Sequence, residues 1–135
     1  MDMDRALRIS AAGMAAQSTR LRVVAENLAN RDSTGGAPGA DPYRRRTVTF
    51  ANQLDRATGA QTVNVSRIGQ AQGDFPKRFD PSHPAADAQG YVKTPNVDSL
   101  IEVMDMREAQ RSYSANLSVL EATRGMLTRT IEALR

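Results

Sequence analysis

The residues that come nearest to a catalytic set lie in one proline-rich segment, where Asp80, Ser82 and the single histidine, His83, are close neighbours. Hydrolysis of the serine type needs a serine nucleophile, a histidine base and a carboxylate that orients the histidine. Side chains that follow each other in an extended segment point in different directions, and no strand–turn–helix motif surrounds Ser82. We therefore expect His83 to be a hydrogen-bonded loop residue, and we predict no catalytic residue and no enzyme.

Metal and phosphate chemistry have little support in the sequence. His83, Asp80 and Asp87 form a weak set of metal ligands, because the chain offers one histidine and no cysteine. Gly35 and Gly36 do not follow a strand with the spacing of a phosphate-binding loop. We predict no metal, no cofactor and no small-molecule substrate.

The charge distribution argues against nucleic acid as a partner. The chain has 18 Lys and Arg against 15 Asp and Glu, and the arginines are mostly interspersed with acids. The one dense basic run, residues 44–46, is not interleaved with aromatic residues and matches no known reader motif. A solvated basic surface is therefore the better interpretation.

The sequence also predicts no direct membrane insertion. No segment approaches the ~20 apolar residues that a membrane span needs. The acidic start of the chain has neither the basic region nor the apolar region of a cleavable signal peptide. The absence of cysteine excludes disulfides. By composition alone, these features are typical of a cytoplasmic protein.

Two amphipathic segments bracket the chain, and each repeats an apolar or aromatic residue every seven positions. We predict helices over residues 1–30 and 97–135. The residues predicted to pair these helices and to make assembly contacts are Leu7, Met14, Leu21, Leu28, Met106, Tyr113, Leu117, Leu120, Leu127, Ile131 and Leu134. An antiparallel match sets Leu7 near Leu134, Met14 near Leu127, Leu21 near Leu120 and Leu28 near Tyr113. Buried faces of an ordinary helical bundle are the alternative.

Small residues surround Gly13 in the first helical segment, which indicates a face that another helix approaches closely. Between the helices, residues 31–42 are rich in Gly, Pro and polar residues and predict a flexible linker. Residues 47–50 and 62–68 alternate like strands, whereas 51–61 fit a helix or a loop. Residues 43–96 are therefore predicted to form a small β-rich insert. The predicted fold is mainly α, with the terminal helices paired as an antiparallel coiled coil in one structural unit.

Three segments carry recognisable motifs: residues 10–17, residues 26–30 and the Tyr-x-Ala-Asn element at residues 113–116. The first two are similar to the N-terminal signature of the bacterial flagellar basal-body rod and hook proteins, and the third resembles that family's C-terminal element. Segments 42–46, 80–87 and 90–97 resemble its proximal-rod members, whereas 51–74 match poorly. The motif positions are Gly13, Gln17, Asn27, Asn30, His83, Pro84, Asp87, Gly90, Tyr91, Pro95, Asn96, Tyr113 and Asn116.

The resemblance implies a structural subunit of the proximal rod, which polymerises helically and transmits motor torque to the hook and filament. It implies export by the flagellar type III apparatus without a cleaved signal, and a place in the periplasmic rod instead of the cytoplasm. The implied partners are other copies of the chain, neighbouring rod proteins and the export apparatus. The residues themselves leave two alternatives open, a secreted helical binding module and a small hydrolase built on His83.

Overall fold

A computed structural model describes residues 2–135, so Met1, the first residue of the predicted N-terminal helix, lies outside the described residues. The elements in chain order are α1 (Met3–Ala29), β1 (Arg46–Asp55), β2 (Ala60–Gln70), β3 (Lys77–Phe79), β4 (Tyr91–Lys93) and α2 (Ser99–Ala133). Two antiparallel sheets form, one from β1 and β2 and one from β3 and β4. In the second sheet, Lys77 is opposite Lys93 and Phe79 is opposite Tyr91.

Aspartates begin both helices. The carboxylate of Asp2 accepts a hydrogen bond from the Asp4 backbone N–H at 3.0 Å, and Asp98 does the same for Leu100 at 3.0 Å. Each aspartate thereby satisfies a backbone donor that the first helical turn leaves without a partner. The cap of α1 is therefore Asp2, and Asp4 lies in the first turn of the helix.

The chain divides into two compact units. The first contains the residues up to Leu21 together with Val48–Arg67 and Arg107–Arg135. The second contains Arg22–Thr47 and Ile68–Met106. The buried apolar residues are mostly small: Ala6, Ala16, Ala60 and Ala109 in the first unit, and Val23, Val24, Ala85 and Val92 in the second. Each unit therefore has a lean core.

The prediction of a mainly α coiled-coil fold is wrong. Helices make up 46% of the chain and strands about 20%, in two small sheets. Residues 51–61, which fit either a helix or a loop by sequence, instead contribute the end of β1, a turn and the start of β2. The physical reason is that strand pairing between residues 46 and 70 satisfies the backbone of the insert with hydrogen bonds.

The helix contact in the first unit also differs from the leucine pairing. A Cβ on Gly13 would lie 2.8 Å from Oδ1 of Asn116, so α1 and α2 approach closely at this glycine. Ser10 and Ala16, one turn away on either side, are buried, whereas Met14 is only half-buried. The close approach that the small residues indicated is confirmed. The contact at this point is therefore centred on small residues of α1 and not on its leucine row.

The substitution Gly13→Ala should therefore be less favourable than Gly125→Ala. An added methyl group at Gly13 meets the amide of Asn116, whereas one at Gly125 meets nothing within 4 Å. Alanine is favoured over glycine inside a helix by about 1 kcal/mol, whereas overpacking costs about 1–3 kcal/mol. Urea unfolding should show a stabilised Gly125→Ala variant and a Gly13→Ala variant no more stable than the parent. Equal stabilisation of both variants would contradict the close approach.

Candidate assembly site

Two polar side chains lie fully inside the second unit. Glu102 is 0% exposed and Asn27 is 1% exposed. One carboxylate oxygen of Glu102 accepts a hydrogen bond from Nε of Arg45, and the other accepts one from Nδ2 of Asn27 at 3.2 Å. A buried carboxylate is tolerated only when its charge is paired and its oxygens have donors. Arg45 and Asn27 together meet both conditions.

The amide of Asn27 joins the last turn of α1 to the start of β1. Its Oδ1 accepts hydrogen bonds from the Tyr43 hydroxyl at 2.7 Å and from the Arg46 backbone N–H at 2.9 Å. Its Nδ2 donates to the Arg46 carbonyl at 3.0 Å as well as to Glu102. Because both ends of the amide are used, neither an aspartate nor an apolar side chain could make the same set of bonds.

Arg45 connects the same cluster to two further segments of the second unit. Its backbone N–H donates to Oδ1 of Asn96 at 2.8 Å, and its carbonyl accepts from the Ala71 N–H at 2.8 Å. Its guanidinium also reaches Oδ2 of Asp105 at 3.3 Å. We call the set Asn27, Tyr43, Arg45, Asn96 and Glu102 the buried polar cluster.

Burial affects the titration of Tyr43 within this cluster. Desolvation raises the pKa of the phenol above its ordinary value of 10.0. Arg46 opposes this shift, and the carboxylates of Glu26 and Glu102 add to it. The hydroxyl is therefore protonated at neutral pH and is available as the donor to Asn27.

The other two arginines of the run 44–46 also have partners within the second unit. Arg44 stacks on the ring of Phe75 at 4.3 Å and donates to the carbonyls of Ala71 and Gly73 at 3.0 and 2.9 Å. Arg46 pairs with Glu26 at 2.9 Å near the surface. The basic run therefore holds segments of its own chain together.

The segment that contains His83 is a hydrogen-bonded loop between β3 and β4. Nδ1 of His83 accepts from the Ala85 N–H at 3.0 Å, and the Ser82 hydroxyl bonds to Oδ1 of Asp80 at 2.8 Å. In a serine triad the histidine contacts both the serine and the aspartate. Here Ser82 bonds directly to Asp80 and His83 bonds to the backbone, so the three side chains do not form a triad. Among residues 2–135, no three potential metal ligands are grouped as a metal would need.

The loop's end is fixed by Asp87 and Gly90. Oδ1 of Asp87 accepts from the N–H groups of Gln89 and Tyr91 at 2.9 and 3.0 Å, and these bonds, led by that of Tyr91, lower the pKa of the carboxyl below 3.8. Gly90 has φ +88°, and a Cβ there would approach the ring of Phe79 to 3.0 Å. Gly90 therefore allows both the turn and the edge-to-face contact of Phe79 with Tyr91, whose centroids are 5.3 Å apart.

The remaining motif positions differ in their hydrogen bonds and in their burial. Asn30 donates from Nδ2 to the Glu26 carbonyl at 2.8 Å, and Asn116 donates to the Ser112 carbonyl at 2.9 Å. Oε1 of Gln17 is buried and accepts no hydrogen bond from the described residues. Pro95 is buried, whereas Pro84 is exposed.

The predicted assembly residues fall into two groups by exposure. The half-buried group is Leu7, Met14, Leu21, Leu28, Met106, Tyr113, Leu117 and Leu120. The exposed group lies at the end of α2, where Leu127, Ile131 and Leu134 are 38%, 53% and 83% exposed. These three residues recur at helical spacing, and Val119 and Met126 beside them are also exposed. We call the five residues the apolar row of α2.

None of the helices described between residues 3 and 133 has the length and apolar character of a membrane span.

Sequence reasoning missed most of the buried polar cluster. Met106, Ala109 and Tyr113 are buried or half-buried, and they follow Glu102 by four, seven and eleven residues. This helical spacing places Glu102 on the same inward-facing side of α2. A charged residue on an inward row needs a partner of opposite charge, and the run 44–46 offered three arginines. That signal was present, but the sequence does not say which arginine is used.

Tyr43→Phe should lower the free energy of unfolding by about 1 kcal/mol, because it removes one buried hydrogen bond to Asn27. Tyr113→Phe is the matched control, since Tyr113 is also half-buried and its hydroxyl bonds to none of the described residues. It should change stability by less than about 0.5 kcal/mol. Urea denaturation of the two purified variants checks this, and equal effects would speak against the role of the Tyr43 hydroxyl.

Two protein-family models match separate regions of the chain. Residues 7–37 match the family model of the flagella basal body rod proteins. Residues 88–133 match the C-terminal model of the flagellar basal body rod FlgEFG proteins. These two regions contain most of α1 and all of α2.

Curated relatives extend the similarity through the strands. The flagellar basal-body rod protein FlgC of Agrobacterium fabrum is 53% identical over 133 residues, which cover 98% of this chain and 96% of that protein. FlgC of Salmonella typhimurium is 43% identical over 91% of each chain. FlgC of Bacillus subtilis is 38% identical over 93% of this chain and 94% of its own length. The chain therefore belongs to the flagellar basal-body rod protein family.

Proposed function

We propose that this member of the family, a structural subunit of the flagellar basal-body rod, polymerises helically in the proximal rod and transmits motor torque towards the hook and filament. Its partners are further copies of the chain and neighbouring rod proteins. It reaches the periplasm through the flagellar type III export apparatus. Motility depends on its incorporation.

The apolar row of α2 is the observation that carries the proposal. Large exposed apolar side chains clustered along one element are typical of surfaces that another protein covers. Of the thirteen large hydrophobic residues that are exposed among residues 2–135, eight lie on α2 and a ninth, Leu134, directly follows its last residue, Ala133. A contact that joins this row to a different surface of the next copy does not close on itself, and repeated contacts of that kind build a helical filament.

The half-buried and the exposed assembly residues have different roles in this proposal. Leu7, Met14 and Leu120 and the other half-buried residues lie beside the helix contacts of their own chain and shape its surface. Leu127, Ile131 and Leu134 contact a neighbouring subunit. Association then completes the apolar burial that a lean core leaves unfinished.

Resistance to torque requires subunits that do not rearrange under load. Fully satisfied buried hydrogen-bond networks specify a single packing arrangement, and the buried polar cluster is such a network at the joint of α1, β1 and α2. It supports the assignment of a load-bearing part, because a subunit with a single packing arrangement passes force to its neighbour without changing shape.

The substitution Ile131→Lys should block incorporation into the rod and abolish swimming, because it puts a charge into an apolar contact between subunits. Lysine near the end of a helix is compatible with the helix dipole, so the free subunit should keep its fold. Leu54→Lys is the matched control, since Leu54 is 52% exposed on β1 and lies outside the apolar row. The measurements are swimming in soft agar and immunoblots of purified basal bodies.

The same blots separate the rod subunit from the secreted binding module. Parent protein in the basal-body fraction supports the rod subunit, whereas parent protein found in culture medium and absent from basal bodies supports the secreted module. Normal swimming of the Ile131→Lys strain, with the variant in its basal bodies, would contradict the assembly role of the apolar row.

A further inference from the structure

We infer that the buried polar cluster selects the register in which α1 and α2 pack, and that apolar burial alone would select a different one. The inference is independent of the rod assignment, since it concerns the folding of a single chain.

The leucine rows define the competing register. If Met14 faced Leu127, as the seven-residue spacing suggests, Gly13 would face residue 128. In the structure Gly13 meets Asn116, which is twelve positions earlier in α2 and corresponds to a slide of about 18 Å. The observed register leaves Leu127, Ile131 and Leu134 exposed. A register chosen by apolar burial would have covered them.

The polar contact between the two helices exists only in the observed register. Asn27 makes four hydrogen bonds, to Tyr43, to both backbone groups of Arg46 and to Glu102. In the leucine-matched register Asn27 would face residue 114. Glu102 would face position 39, which is ten residues beyond the end of α1 at Ala29. The hydrogen bond between Asn27 and Glu102, which joins the two helices, would then be lost.

A polar cluster discriminates between registers better than an apolar surface does. Leucine packs acceptably against many apolar neighbours, whereas a buried carboxylate or amide needs donors and acceptors at defined positions. A single buried polar residue is known to fix the register of paired helices at some cost in stability. Here the cluster includes a complete ion pair, and one of its members, Arg45, comes from outside both helices. Arg45 is therefore a positioning residue that makes the helix register depend on the docking of the segment before β1.

Pairs of cysteines can report the register, because the chain has no cysteine of its own. A Cβ on Gly13 would lie 2.9 Å from Cγ of Asn116, so Gly13→Cys with Asn116→Cys brings two Cβ atoms within disulfide range. Leu21→Cys with Leu120→Cys reports the leucine-matched register. Each pair is placed in the parent chain and in an apolar cluster variant, Asn27→Leu with Arg45→Met and Glu102→Leu. The control is Glu26→Gln with Arg46→Gln, which removes the neighbouring surface ion pair.

Purified protein is oxidised at low concentration and intrachain disulfides are counted on nonreducing gels, with helix content followed by circular dichroism. The parent and the control should form the 13–116 disulfide in at least about tenfold excess over the 21–120 disulfide. In the apolar variant that ratio should fall by about tenfold or more while the helix content is retained. A retained ratio in a helical apolar variant would overturn the inference. Loss of both disulfides together with the helix signal would also overturn it, because the cluster would then hold the fold without selecting a register.

The single substitution Glu102→Gln is a second and milder test. Glutamine keeps the size of the side chain and can still bond to Asn27, but it removes the charge that pairs with Arg45. It should raise the 21–120 disulfide above the parent level but below that of the apolar variant. A level equal to the parent would overturn the role of the ion pair in choosing the register.

Discussion

The buried carboxylate of Glu102 is the constraint on which the second unit depends. A charge with no exposed surface is tolerated only because Arg45 pairs with it and Asn27 donates to it. Those two partners belong to the segment before β1 and to the last turn of α1, so one carboxylate joins three parts of the chain. Removal of either partner would leave one oxygen of the buried carboxylate without its donor.

The small residues of α1 have the corresponding role in the first unit. Gly13 lets the helix approach Asn116, and Ser10 and Ala16 are buried beside it. A close contact of small residues buries little apolar surface, which is why the larger side chains remain at the edges of the contact or in solvent. The apolar row of α2 is the consequence, and it gives a rod subunit a surface for its neighbour.

The positions of the helices could be predicted from the sequence, because periodic apolar residues report a helix face directly. The strands at 47–50 and 62–68 could be predicted from alternation, although the stretch between them could not. The predicted coiled-coil pairing was wrong because periodicity shows only which residues are apolar, whereas the contact between the helices is centred on Gly13 and its small neighbours. The polar cluster could not be assembled from sequence, since Asn27, Arg45 and Glu102 are far apart in the chain and only the inward position of Glu102 signals a partner.

The most direct test of this account is a double-mutant cycle with Arg45→Met and Glu102→Leu, followed by urea denaturation. Arg45→Met leaves the buried carboxylate of Glu102 without its charged partner and should cost about 3–5 kcal/mol of unfolding free energy. Glu102→Leu should cost less, because the Arg45 side chain is 26% exposed and still pairs with Asp105. The double variant has no unpaired charge, so it should lose much less than the sum of the two single losses. Additive losses would mean that the two side chains do not act as a pair and would contradict the central role given to Glu102.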